Sequence, residues 1–236
     1  LPWIVTASTG FLLLVIRIFW VYREIQKSRS YQSAQIISKS VTRKRPCKTL
    51  VVLGSGGHTS EMLHMVRQLD ASLYNPLLYV VADTDHTSIK RLKASTTGTD
   101  NDSQTASNNN SNVKDENIYI IPRSREVGQS YMTSLLTTIY ALIHSIVMVL
   151  RIRPELLLCN GPGTCVPLVL AVWMWRIFGI VSCRIVFCES YCRVQTLSLT
   201  GKILYPGVDL FLVHWDSLYQ KYPKSYRIST FVTVFK

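Results

Sequence analysis

The segment Gly54-Ser55-Gly56-Gly57-His58-Thr59 combines four residue types suited to holding an anion beside a proton acceptor. An apolar, β-branched run ends at Leu53, and a helix-like pattern (Met62, Leu63, Val66, Leu69) follows at once. A glycine turn between a strand and a helix presents unpaired backbone N–H groups and the positive end of the helix dipole. That combination binds phosphate. Gly54, Ser55, Gly56, Gly57 and Thr59 are the candidate phosphate contacts, and His58 is a candidate base, with a helix-start cap as its plain alternative. Four more polar clusters stand out: Asp83–Asp85, Arg123–Glu126, Asn160–Thr164 and Glu189–Arg193. Arg123 and Arg125 are spaced as a pair that suits a diphosphate. Asn160, Gly161, Gly163 and Thr164 read as a shaped backbone cradle, with Thr164 as helix cap or ligand contact. Glu189 reads as a hydroxyl-binding or basic carboxylate, or as a cap, and Ser190 and Arg193 accompany it. Gly54-x-Gly56 opens like a dinucleotide fingerprint, but the third glycine position is Thr59. A nicotinamide-dependent oxidoreductase is therefore an alternative with poor support.

The elements that must position these residues alternate. Strands are predicted at 48–53, 77–82, 117–121, 155–159, 184–188 and 208–213, the last of the sheet. Helical patterns are predicted after the glycine turn and at 130–150, 165–178 and about 196–204. Each polar cluster falls directly after a predicted strand. Strands separated by helices imply right-handed crossovers and a parallel sheet covered on both faces, with ligands beyond the carboxyl ends. Residues 94–117 are rich in Ser, Thr, Asn and Asp and are expected to be a disordered insertion. The predicted domain is 48–224, followed by a tail at 225–236.

Residues 1–22 are almost wholly apolar, which is spanning length for a helix, with Arg17 placed to snorkel beside Trp20 and Tyr22. From Arg23 to Lys48 stand Arg23, Lys27, Arg29, Lys39, Arg43, Lys44, Arg45 and Lys48 against the single acid Glu24, in a chain of net charge +12. A basic linker at 23–47 behind an apolar span suits anionic lipid and places the body on the cytoplasmic side, as a single-pass protein. A nucleic-acid arm and a signal peptide are weaker readings, and no nucleic-acid partner is expected. Tyr131–Ile152 is a second run of spanning length, expected to pack on the sheet and touch the bilayer surface; a multi-pass scaffold without a site is the alternative. The six cysteines show no Cys-x-x-Cys pair or His partner at metal spacing, so they read as small core residues, and no metal or cofactor is expected.

Four linked segments carry a family resemblance: Leu53–Glu61, Ile121–Val127, Leu158–Pro167 and Glu189–Lys202. Together they resemble the membrane-anchor subunits of the eukaryotic UDP-N-acetylglucosamine transferase, over about 48–224. More distantly, Gly-Ser-Gly-Gly-His is similar to the acceptor-side glycine loop of MurG. The resemblance implies a Rossmann-like α/β sheet that forms one half of a GT-B glycosyltransferase, behind an N-terminal transmembrane helix at the endoplasmic reticulum. It implies that the chain binds dolichyl-diphosphate-GlcNAc and takes UDP-GlcNAc through a small soluble donor-binding catalytic subunit. Gly54–Thr59, Arg123 and Arg125 would hold the acceptor diphosphate. Asn160–Thr164 and Glu189–Arg193 would face the acceptor sugar, and His58 or Glu189 would take the proton from its 4-hydroxyl. Only 13 residues follow Pro223, so a donor lobe is expected from another chain.

Overall fold

The computed structural model describes residues 2–35, 45–97, 115–124, 129 and 131–228. Its elements run α1 (Pro2–Gln35), β1 (Thr49–Val52), α2 (Gly57–Arg67), β2 (Leu77–Ala82), α3 (His86–Thr97), β3 (Ile118–Ile121), α4 (Tyr131–Ile152), β4 (Leu156–Asn160), α5 (Cys165–Ile177), β5 (Arg184–Cys188), α6 (Leu199–Leu204), β6 (Leu210–Val213), α7 (Asp216–Lys221) and β7 (Tyr226–Arg227). Among the described residues, the strands form one seven-stranded sheet in the order β3-β2-β1-β4-β5-β6-β7. Every pairing is parallel. The parallel sheet expected from the alternation, Rossmann-like as the resemblance implied, is therefore present, and its order reverses between β1 and β4. In such sheets that reversal opens a crevice at the carboxyl edge.

Strand residues alternate between two cores, because successive side chains leave opposite faces of a strand. Leu50, Val52, Leu157, Cys159, Ile185, Phe187 and Phe211 meet Val149, Leu168, Val169 and Val172 of α4 and α5. Val51, Leu53, Leu158, Val186 and Leu212 meet Met62, Leu63, Val66 and Leu92 of α2 and α3. With both faces covered, the strands have no polar side to spare, which is why they read as continuous apolar runs.

Several boundaries differ from the sequence reading. Residues 23–35, expected in a basic linker, continue α1 as one helix. The reason is packing: Val21 and Ile25 are buried, and Arg29, 3% exposed, donates from Nε to the Val208 carbonyl at 2.8 Å and also reaches Tyr205 O. Arg17 does not simply snorkel. It donates to the carbonyls of Ile177 and Arg176 at 2.9 and 3.2 Å, closing the carboxyl end of α5, while its guanidinium lies 4.7 Å over Trp20. Of the expected disordered insertion at 94–117, the ends are ordered: α3 runs to Thr97 and a 3-10 turn occupies Asp115–Asn117, while 98–114 lie outside the described residues. The sheet does not end at Val213, since β7 pairs with β6 through Leu212↔Tyr226 and Val213↔Arg227, inside the expected tail.

Among the described residues, two helices are long and apolar enough to cross a membrane: Thr6–Arg29, with mean hydropathy 1.2, and Met132–Ile152, with 1.9. The second is two-faced. Ala141, Ser145, Met148, Val149 and Ile152 are buried, while Met132, Leu135, Leu136, Ile139, Tyr140, Ile143 and Val147 are exposed along one helical stripe.

Candidate functional site

Where the strand order reverses, the loops after β1, β4 and β5 enclose a crevice of about 460 Å³. Its lining comes from Gly57, His58 and Glu61 at the start of α2, Gly161 after β4, and Ser190, Cys192, Arg193 and Ser198 after β5. Five residues picked out from the sequence therefore meet in one place: Gly57, His58, Gly161, Ser190 and Arg193.

The glycine turn owes its shape to its residue types. Gly56 adopts φ 66°, a left-handed conformation that glycine enters without strain, and it caps α2 without a side-chain hydrogen bond. The first-turn N–H groups of α2 have no partner within the helix, so they offer an anion nest beside Gly57. Gly54 lies deeper, where a Cβ would stand 2.5 Å from Pro162 Cγ. Two arginines grip the tip of the turn. Arg123 donates to Ser55 Oγ at 3.3 Å and Arg91 donates to the Gly56 carbonyl at 2.6 Å. Arg123 is itself fixed, its backbone N–H bonding Asp83 Oδ1 at 3.2 Å. Arg125 lies outside the described residues.

Other expected contacts have internal duties. Thr59 is fully buried; its hydroxyl donates to the Gly54 carbonyl and lies 2.5 Å from Ser88 Oγ, so it staples the turn from below. Glu189 is also fully buried. Its Oε1 accepts from Ser190 N at 3.0 Å, and its Oε2 accepts from Ser198 N and Ser198 Oγ at 2.9 and 3.1 Å. With both oxygens taken by the loop before α6, Glu189 holds that loop closed. Asn160 donates from Nδ2 to the His58 carbonyl at 2.7 Å, while its buried Oδ1 has no partner. Thr164 stands at the cap position of α5 without a side-chain cap bond. A Cβ on Gly163 would stand 3.4 Å from Ser124 Oγ.

His58 sits at the centre. Its ring lies so close to Gly161 that a Cβ there would come within 2.4 Å of Cε1, and Gly161 itself adopts φ 50°. Its Nδ1 is buried without a hydrogen bond, 3.5 Å from Glu61 Oε2. A pocket that joins a helix N-terminus and gripping arginines to a clamped imidazole can bind a phosphorylated ligand and accept a proton from it.

The sequence reading missed Glu61, Arg91, Cys192 and Ser198. Glu61 was accessible to it, because it follows His58 by one helical turn and so shares its face. Arg91 had no local signal; only the packing of α3 beside α2 brings it to the turn. Among the cysteines, five are buried and Cys192 is exposed. Burial pushes the thiols of Cys159, Cys183 and Cys188 well up, which keeps them protonated as core residues. Among the described residues, no group of three or more His, Cys, Asp or Glu stands close enough to hold a metal ion.

The family profile "Oligosaccharide biosynthesis protein Alg14 like" matches residues 49–231. The protein named UDP-N-acetylglucosamine transferase subunit ALG14 in Rattus norvegicus is 41% identical over 223 residues, which cover 93% of each chain. Its namesake in Homo sapiens is 42% identical over 80% of this chain and 84% of that one, and the Candida albicans namesake is 33% identical over 92% and 90%. Among solved structures, MurG of Acinetobacter baumannii aligns over 70% of this chain and 40% of its own, at 17% identity and a TM-score of 0.45. The family profile and the matched relatives show that this chain belongs to the Alg14 family of oligosaccharide biosynthesis proteins.

Proposed function

We propose that this chain is the membrane-anchoring, acceptor-binding subunit of a two-chain UDP-GlcNAc transferase. It works as one lobe of a GT-B enzyme, adding the second GlcNAc to dolichyl-diphosphate-GlcNAc at the cytoplasmic face of the endoplasmic reticulum. A soluble catalytic partner supplies the lobe that binds UDP-GlcNAc. The observation that carries this reading is the crevice between β1 and β4, where the anion nest of Gly56–Gly57 and the His58 ring share one opening. The relatives' printed name, a transferase subunit, supports the need for a partner.

In this reading the acceptor diphosphate sits on the amides of the glycine turn, with Arg123 and Arg91 beside it. Arg193 adds positive charge at the lining of the crevice, and Asn160–Thr164 shapes the wall facing the acceptor sugar. The 4-hydroxyl oxygen bonds C1 of the donor GlcNAc as the C1–O bond to the β-phosphate breaks. UDP leaves with that electron pair, held by the partner, and the hydroxyl proton passes to His58. Such a base contributes ~10²–10⁴-fold. Glu189 serves as a loop holder in this scheme, since its oxygens are already bonded. The first span of α1 anchors the protein, and the exposed stripe of α4 rests on the bilayer surface. The buried face of α4 supports a surface position over a second crossing.

The test is co-purification from detergent extract of a small soluble partner, followed by transfer to a short dolichyl-diphosphate-GlcNAc analogue. Transfer that needs both chains is the expected result. Transfer by this chain alone, or none by the purified pair, overturns the proposal.

A further inference from the structure

Glu61 is the one acidic side chain among the described residues that line the crevice. Its Oε1 accepts from the Ser190 hydroxyl at 3.1 Å and from the Tyr191 N–H at 3.2 Å. Its Oε2 lies 3.5 Å from His58 Nδ1. One carboxylate thus bridges the start of α2 to the loop after β5. His58 is otherwise constrained on two sides, by Asn160 at its carbonyl and by the Gly161 backbone at its ring. What those constraints leave open is which ring nitrogen carries the hydrogen. A carboxylate only accepts, so the nitrogen facing it must be the donor, and a neutral imidazole then has its other nitrogen free as an acceptor. A contact of this length is of the kind that tightens when substrate binds.

We propose that Glu61 is a positioning residue that fixes His58 as the Nδ1–H tautomer and ties it to Ser190 and Tyr191, leaving Nε2 to accept the substrate proton. This rests on the proposed role of His58. It also explains why a carboxylate stands in a pocket meant for an anionic ligand: its negative charge is turned onto the imidazole and the loop donors.

The variant Glu61→Gln separates the two duties. Its amide oxygen still accepts from Ser190 and Tyr191, while its amide nitrogen donates toward His58 and favours the wrong tautomer. In the full-length chain with its catalytic partner in membranes, kcat is expected to fall about 10–100-fold, less than the loss of the base itself. The acceptor KM is expected to move by less than about threefold, because the variant leaves the anion nest intact. In a His58→Gln background, the same change is expected to cost nothing further, the signature of two residues acting as one unit. Three results overturn the inference: near-normal kcat in Glu61→Gln, an equal loss in both backgrounds, or failure of Glu61→Gln to co-purify with the partner, which would make the carboxylate purely structural. If His58→Gln alone keeps normal turnover, the base assignment falls first and takes this inference with it.

Discussion

The crevice between β1 and β4 and the outer stripe of α4 are built on opposite terms. In the crevice, each central group is held by another: His58 by Asn160 and Gly161, Glu61 by Ser190 and Tyr191, the turn by Arg91 and Arg123. On α4, Met132 is 78% and Leu136 69% exposed, and the apolar side chains around them face outward. The first region is tuned for position and the second for affinity to something apolar. Substitutions should therefore divide by what they damage: turnover in the crevice, placement on the stripe, and stability where α1 joins the body.

The largest effect is expected at Gly161. A Cβ in that left-handed conformation costs about 1–2 kcal/mol of strain and drives into the His58 ring. Gly161→Ala should lower kcat by at least about 10²-fold, comparable with loss of the base, and steady-state kinetics on the purified pair would check it. Arg123→Ala comes next. Losing a charge-assisted hydrogen bond of about 1.5–3 kcal/mol should raise the acceptor KM roughly tenfold or more, with kcat nearly unchanged. A fall in kcat at constant KM would move Arg123 from binding to chemistry.

At the junction, Arg29→Met strips the donor from the Val208 and Tyr205 carbonyls and should cost about 1–3 kcal/mol of stability. A thermal melt would register it, while turnover per folded molecule stays normal. On the stripe, Leu136→Ser with Ile143→Ser should stay within about 0.5 kcal/mol in stability. Transfer to a long-chain lipid acceptor in vesicles should fall several-fold, and transfer to a short soluble acceptor should not. Equal losses with both acceptors would erase the contrast between the two regions.

The smallest effect is a pH term from His214, whose ring lies 3.6 Å from Cys188 Sγ and edge-on to Tyr191. Burial lowers its pKa from the ordinary 6.5, opposed in part by the Glu61 carboxylate and a backbone bond to Glu189. The unfolded chain therefore takes up this proton more readily than the folded one. The contribution is fully present above 6.5 and drains as pH falls from there toward the lowered value. Melting curves across that window should flatten in His214→Gln.

The strand positions and the polar clusters behind them were legible because a doubly covered parallel sheet forces long apolar runs to end abruptly in loops. The two-residue β7 was not, since Tyr226–Arg227 is too short to show any period. Glu189 looked reactive from its place at a strand end; only its hydrogen bonds reveal a loop holder. The continuation of α1 through 23–35 was hidden by its charges, because Arg29 reads as solvated until Val208 and Tyr205 supply carbonyls for it. Glu61 and Arg91 illustrate the two kinds of omission. One was a neighbour on the same helix that was overlooked, and the other is brought in by tertiary packing alone.

The way α1 ends has a consequence for motion. Arg17 and Arg29 stitch the helix to loops on the far side of the sheet from the crevice, and Tyr226 Oη bonds the Arg29 carbonyl. A helix sewn to the body at these points and through Gln26 and Ser28 has no swivel. Under the proposed function, the crevice would then keep a set height and bearing over the lipid, and the reach would fall to the acceptor's own long, pliant tail.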